Sequence, residues 1–409
     1  MTAPEPATGP PVALYVHVPF CVSVCPYCDF VVVAGSAARG PHNRIPAFVD
    51  AVVTELGLRA DALDVGLGRD RPPLRSLYLG GGTPSLLPAA SLGRIIDTTR
   101  ARFGLAPDAE VTVEANPGPD ERGEAVALRD AGVTRLSIGA QSLDAGELQR
   151  LGRRHRPGDV GAAVASGRAA RIGSISLDLL YDIPGGTLTS WARTLDAALA
   201  LEPDHLSLYA LTLDDPAAEG LTGPSGDHLP TSRGARRWRE RARAAQDDDR
   251  AAEMYELADR RLGEAGYDWY ELSNWARPGH RSVHNLAYWL REPWEAVGPG
   301  AHAFDGVSRR WNAARLEGYV AALSPVAGRS AQLPPGGLEV IDASTAASEL
   351  AILGLRTARG ISGVDAARPP VRDVLPWALD AGLLEAAGDR YSLTLRGRLL
   401  SNELFARLV

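Results

Sequence analysis

Cys21, Cys25 and Cys28 are the only cysteines in a chain of 409 residues, and all three fall within the stretch LYVHVPFCVSVCPYCDF, residues 14–30. An odd number of thiols packed into eight residues does not build a disulfide framework. The spacing suits soft metal ligation, by zinc or by an iron–sulfur cluster. A structural zinc site needs a fourth ligand, for which His17 and Asp29 are the neighbours on offer. A four-iron cluster on three thiolates instead leaves one iron open, a place where a ligand can bind and be activated. Spectator cysteines are the remaining reading, and the crowding of all three beside Pro19, Pro26 and Tyr27 argues against it.

Composition removes several chemistries. All 43 basic residues are arginine, so Schiff-base catalysis, a lysine-held pyridoxal cofactor and the phosphate-loop lysine are excluded. A formal charge of −7 gives no overall attraction to nucleic acid. The basic run RGARRWRERARAA, 233–245, is answered at once by Asp247, Asp248 and Asp249, and reads as a solvated helix face, with phosphate binding as the minor alternative. No run of eighteen apolar residues and no secretory signal is readable, so the expected location is cytoplasmic, with no membrane span.

The cysteine loop must be held by the elements around it. Six short apolar runs read as strands: ALYVHV, RSLYLGGGTP, EVTVEANPGP, VTRLSIGAQS, SISLDLLYDIP and DHLSLYALTL. Helical patterns separate them, the order of a parallel sheet or barrel. Glycine-rich and polar punctuation follows the strands, where barrel enzymes place ligand contacts. The polar segment 216–250 reads as an insertion, a mobile loop or an exposed helix. From 347 to the C-terminus the pattern is helix, helix, short strand, helix, a winged-helix-like order for which packing on the barrel or a protein partner is expected rather than nucleic acid.

YVHVPFCVSVCPYCDF, with its CxxxCxxC spacing, resembles the cluster loop of radical S-adenosylmethionine (SAM) proteins. YLGGGTPS, VTVEANPGP, RLSIGAQS, LQRLGRRH, SLDLLYDIP and HNLAYW follow in the order of the oxygen-independent coproporphyrinogen oxidase superfamily, so the resemblance runs from about Leu14 to the C-terminus. It implies an α/β fold, a partial (β/α)6 TIM-type barrel over residues 1–215 with a 4Fe-4S cluster on the three cysteines. A haem-motif segment, 251–346, would pack on the barrel, followed by the C-terminal domain, 347–409. The bound SAM would be cleaved to a 5′-deoxyadenosyl radical. Its pocket is expected from Tyr15, Tyr27, Gly81, Gly82, Thr83, Glu114, Gln141, Arg153 and Asp178. Glycines 80–82 would let backbone amides approach the methionyl group, although such a triplet also makes tight turns.

Within the superfamily, the oxidases carry a further cysteine two positions after the third and a longer N-terminal segment. Phe30 stands in that place, and only fourteen residues precede Tyr15. Both features match the HemW-type haem chaperones, which resemble the oxidases in fold and cluster. In HNLAYW, 284–289, that resemblance implies haem binding by His284, Asn285, Tyr288 and Trp289, with His280 and His302 as competing ligands. The expected partners are haem, a haem-acceptor protein and a second copy in a homodimer, with membrane contact only through an acceptor. The alternative is a radical SAM enzyme, an oxidase or a methylase-like relative. Asp182-Ile183-Pro184 replaces the usual Gly-Leu-Pro and puts an extra carboxylate near the rim.

Overall fold

The computed structural model describes residues 8–38, 40, 42–213, 232–325 and 330–409, with the backbone of two short strands, Thr222–Gly223 and Gly226–Asp227. Six strands run parallel and adjacent in chain order: β1 (Ala13–Val18), β2 (Leu74–Gly81), β3 (Leu105–Ala115), β4 (Arg135–Gln141), β5 (Ser174–Tyr181) and β6 (His205–Ala210). The connections carry α1 (Ile45–Leu67), α2 (Ala89–Phe103), α3 (Ala125–Asp130), α4 (Ala145–Arg150), α5 (Pro157–Ala169) and α6 (Leu188–Leu199). The six strand segments read from the sequence are these six strands.

Alternation along each strand separates two environments. Leu77, Leu79, Val111, Val113, Ile138, Leu177 and Leu208 face the helices and form the main core with Phe48, Leu56, Ile95 and Leu195. The opposite face is polar, carrying Tyr15, His17, Ser76, Tyr78, Glu114, Ser137, Ser176, Asp178 and His205. Polar groups on a buried face need partners, and Arg135 shows how they are met: its Nη1 donates to Ser174 Oγ at 3.0 Å and to the His280 carbonyl at 3.0 Å.

After β6 come α7 (Arg233–Arg243) and α8 (Asp248–Glu264), so beyond the two short strands the described part of the insertion is helical, while 214–221, 224–225 and 228–231 lie outside the described residues. β8 (Asn274–Ala276) adds antiparallel to β6, and β7 (Asp268–Glu271) adds antiparallel to β8. α9 (Val283–Trp289) leads to β9 (Trp294–Val297), which returns to lie parallel to β1. β10 (His302–Phe304), β11 (Ser308–Asn312), α10 (Leu316–Leu323) and β12 (Gly336–Val340) complete a twelve-stranded sheet, ordered β7-β8-β6-β5-β4-β3-β2-β1-β9-β10-β11-β12. The haem-motif segment is therefore woven into the barrel sheet.

Glu55 of α1 locks this extension. It is fully buried and accepts from Arg59 Nη2 (3.1 Å), Gly298 N–H (2.9 Å), Asn312 Nδ2 (2.9 Å) and Tyr319 Oη (2.7 Å). A carboxylate so fully bonded is tolerated where an unpaired one would not be.

The C-terminal residues form α11 (Ala343–Leu355), β13 (Ile361–Ser362), α12 (Gly363–Ala366), α13 (Val371–Asp380), β14 (Leu384–Ala387), β15 (Arg390–Leu393), α14 (Leu395–Leu399) and α15 (Ser401–Phe405). Its three-stranded sheet and its core around Leu355, Ile361, Leu384 and Leu393 are its own. Arg398 makes a two-pronged ion pair with Asp259 of α8, both contacts at 2.8 Å, tying this unit to the barrel.

Candidate cluster and ligand site

The cysteine loop leaves the C-terminal end of β1. Phe20 and Cys21 pair in parallel with Val33 and Ala34, which pinches the ends of the loop together, and Cys28 N–H bonds the Cys25 carbonyl at 3.1 Å. Burial pushes the Cys21 thiol up to about 11, against a hydrogen bond from Thr83, and Cys28 up to about 12, with Cys25 and Cys21 adding to it. The thiols are thus near enough to repel one another once ionised, a donor set that a cation would settle. Among the described residues no three His, Cys, Asp or Glu side chains are grouped to hold a single metal ion. A multi-iron cluster takes one thiolate per iron and needs neighbouring rather than converging sulfurs. His17 cannot be a fourth zinc ligand as it stands, because its nitrogens are engaged by Tyr15 Oη (3.0 Å) and the Val31 carbonyl (2.7 Å).

The glycine triplet serves the loop more than a ligand. Gly81 N–H donates to Glu114 Oε2 (2.9 Å), Gly82 N–H to the Val18 carbonyl (2.8 Å) and Thr83 N–H to the Phe20 carbonyl (2.7 Å). A Cβ at Gly82 would lie 2.7 Å from the Phe20 carbonyl oxygen, so only glycine lets β2 run this close under the cysteine loop. The Gly82 and Thr83 amides are thus hydrogen-bonded to β1 and the cysteine loop, and the Gly81 amide to the Glu114 carboxylate.

A chain of hydrogen bonds spans the mouth above. Thr83 Oγ1 donates to Cys21 Sγ (3.6 Å) and accepts from Asn116 Nδ2 (3.0 Å). Arg153 donates to Asn116 Oδ1 (2.6 Å), to the Gly139 carbonyl (2.8 Å) and to Cys25 Sγ (3.7 Å). Two cysteines are thereby tied to β2, to the end of β3 and to the turn after α4. Arg153 Nε is buried without a partner, a donor left over for something else.

Below the mouth sit two half-buried carboxyls. Glu114 accepts from Tyr78 Oη (2.8 Å), yet burial pushes it up to about 7. Asp178, bonded by Ser137 Oγ (3.0 Å), is pushed by burial up to about 6. With no cation beside Glu114 among the described residues, the pair is suited to a positively charged group such as an ammonium. Gln141 ends β4 in the left-handed region (φ 64°), with its side chain against Gly139, beside the Arg153 contact. Tyr27 packs against Trp238 of α7, ring centres 6.2 Å apart, with Leu151, Leu180 and Ile183.

α7 has the expected solvated face, with Arg233, Arg237 and Arg241 exposed, but its other side packs on the cysteine loop. Arg239 is 7% exposed, and donates Nε to the Pro26 carbonyl (3.0 Å) and Nη2 to the Cys28 carbonyl (2.7 Å). Trp238 Nε1 donates to the Arg150 carbonyl (2.8 Å). Asn116 and Arg239 were not singled out from sequence; the available signal was Trp238 within an arginine run, with Arg239 and Ala242 three apart on one face. Asp182 is occupied by Arg250 (Nε at 2.8 Å), so the departure from Gly-Leu-Pro anchors α8 instead of facing a ligand.

The HNLAYW helix lies elsewhere. His284, 1% exposed, shares Nδ1 with Ser76 Oγ (3.0 Å) and Nε2 with Tyr288 Oη (2.7 Å), and its ring stacks 5.0 Å from Tyr78. Glu110 accepts from the His284 amide (3.1 Å) and caps the helix. Strand rise puts Gly82 about 20 Å beyond Ser76, so this helix plugs the end of the barrel remote from the cysteines. Asn285 starts the helix with its amide on Ser282 Oγ (3.2 Å), and the Arg356 guanidinium lies 4.3 Å over Trp289.

The radical SAM superfamily model matches residues 15–198. The chain is 38% identical over 409 residues to the haem chaperone HemW of Mycobacterium tuberculosis (strain H37Rv), covering 99% of this chain and 96% of that protein. It is 38% identical over 297 residues to the haem chaperone HemW of Escherichia coli (strain K12), covering 72% and 70%. In fold it is similar to the coproporphyrinogen III oxidase HemN from Escherichia coli, TM-score 0.77 at 22% identity, covering 99% of this chain and 91% of that one.

Proposed function

The chain belongs to the HemW haem chaperone family, within the radical SAM superfamily, and from that premise we propose that it binds haem and passes it to an acceptor protein. The observation that carries this reading is near full-length kinship with haem chaperones, joined to Phe30, 60% exposed, at the position where the oxidases have a cysteine. Cys21, Cys25 and Cys28 would hold a four-iron cluster, since three neighbouring thiols, two of them hydrogen-bonded by Thr83 and Arg153, fit that donor set. When bound, such a cluster supplies an electron to SAM.

SAM would lie across the barrel mouth. Glu114 and Asp178 offer its ammonium a countercharge, Arg153 Nε offers a carboxylate a donor, and Tyr15, Tyr27, Gln141 and Thr83 wall the space. The haem surface would include Asn285, Tyr288 and Trp289. The acceptor is a protein, contact with a membrane runs through it, and a homodimer in the cytoplasm is the working state. No helix among the described residues is long and apolar enough to cross a membrane.

Haem titration of the anaerobically reconstituted chain and of its triple Cys→Ala variant tests this reading. Both should bind haem with similar affinity, because the two sites use different residues. Failure of the intact, cluster-loaded chain to bind haem would sink it.

A further inference from the structure

We propose that His302, on β10, is the residue that ligates the haem iron, in place of His284. The inference rests on the haem-binding reading above and assigns the ligand within it.

An axial histidine must present a ring nitrogen with a free lone pair to a wide, flat macrocycle. His284 does not: both its nitrogens are hydrogen-bonded and its ring is buried in the barrel. Exposing it means drawing α9 off Glu110, Ser76 and Tyr78 together. His17 and His205 are likewise engaged through both nitrogens, His205 by Ser176 Oγ and Tyr270 Oη at 2.8 Å each. His155 bonds the Ala140 carbonyl (3.0 Å) and is 6% exposed, while His280 bonds Ser174 Oγ (3.2 Å). His42 stands exposed ahead of α1 with no aromatic contact among the described residues.

His228 lies outside the described residues, and His302 differs from the other described histidines on each count. It is half-buried, and among the described residues neither ring nitrogen has a hydrogen-bond partner. Its ring is held all the same, stacked on Trp311 with centres 5.8 Å apart and planes within 18°. Trp311 in turn lies flat on β12, because residue 337 is glycine: a Cβ there would fall 2.2 Å from the indole. The His302 carbonyl accepts from Trp294 Nε1 (2.9 Å), fixing the backbone. A ligand so oriented is ready without rearrangement.

The surroundings suit a porphyrin. Register pairs Tyr15 with Ala296, Trp294 with Phe304 and His302 with Trp311, so His302, Trp311 and Trp294 share the concave sheet face with Tyr15. Burial lowers the pKa of His302, and the Arg309 charge lowers it further, which keeps the ring in the neutral form that binds iron. Arg309, on the same face, is already ion-paired to Glu349 and Glu339, so what this face offers the macrocycle is the flat apolar surface of Trp311 and Trp294. The HNLAYW helix then acts by support, Tyr288 packing edge-on against Trp294 at 4.7 Å.

The experiment is a ferric haem titration of the full chain and of His302→Ala, Trp311→Ala and His284→Ala, read by the Soret band and electron paramagnetic resonance. His302→Ala should lose about an order of magnitude in affinity and shift the Soret band, and added imidazole should restore the wild-type spectrum. Trp311→Ala should keep the spectrum type and weaken binding, whereas His284→Ala should keep the spectrum even where it lowers the unfolding temperature. A wild-type Soret and affinity in His302→Ala overturns the assignment while leaving haem binding standing. Absence of haem binding in the wild-type chain overturns both.

Discussion

The Arg239 guanidinium donates to the carbonyl oxygen of Cys28 at 2.7 Å, across 211 positions of sequence, and its Nε holds Pro26 at 3.0 Å. One arginine of α7 therefore closes the outer side of the cysteine loop, where backbone carbonyls would otherwise point at solvent. Hydrogen bonds from a charged donor are worth about 1.5–3 kcal/mol each. Arg239→Ala should leave the fold in place but speed loss of the cluster, followed by the decay of its visible absorbance under a chelator. Arg239→Lys, lacking the fork, should rescue only in part. Equal decay rates in all three proteins would show that α7 does not hold the loop.

The chain Thr83–Asn116–Arg153 predicts a different pattern at the inner side. Asn116→Ala takes one partner each from Thr83 and Arg153, leaving them the Cys21, Gly139 and Cys25 contacts, a loss of about 1–3 kcal/mol. SAM affinity, measured by calorimetry on the reconstituted chain, should fall together with cluster content. Cluster content unchanged in Asn116→Ala would separate the two and refute the coupling.

Glu114 and Asp178 give a pH dependence of defined sign. Burial raises both, to about 7 and about 6, above their ordinary values of 4.5 and 3.8. The folded, ligand-free chain therefore holds protons that the unfolded chain releases, and stability falls as pH rises from about 4 to 7. For Glu114 the difference amounts to about 3–4 kcal/mol at most. Glu114→Gln should flatten that slope in denaturant unfolding at pH 5 and pH 7.5. A cationic ligand reverses the preference, so SAM binding should strengthen with pH over the same range and release protons. An unchanged slope in the variant means that Glu114 is ionised throughout.

Asp182, 4% exposed, depends on Arg250 for its countercharge. Arg250→Ala leaves a buried carboxylate with weak support, and should cost about 2–4 kcal/mol, discounted for the partial exposure of the arginine. Arg250→Ala with Asp182→Gly, which restores the more usual loop residue, should regain most of it. A double variant no more stable than the single would contradict the pairing.

The parts legible in the sequence were those with local signals. Three cysteines in eight residues, and strands such as Ala13–Val18 and Ser174–Tyr181 with their period of two, need no distant partner to be recognised. What was not legible depends on long-range return. β9 joins β1 across some 280 positions of sequence, and no local pattern announces it. Arg239 reads as one more solvent-facing arginine until α7 folds over Pro26 and Cys28. His284 looks like a free ligand until Ser76 and Tyr288 close on its ring, and the amides of Gly81 and Gly82 look open until Glu114 and Val18 accept from them.

One anaerobic experiment bears most directly on the central claim: the reconstituted chain is divided between haem alone and coproporphyrinogen III with SAM and reductant. The account predicts a haem Soret band in the first sample and no protoporphyrinogen IX in the second. Formation of protoporphyrinogen IX by a chain that binds no haem would contradict it.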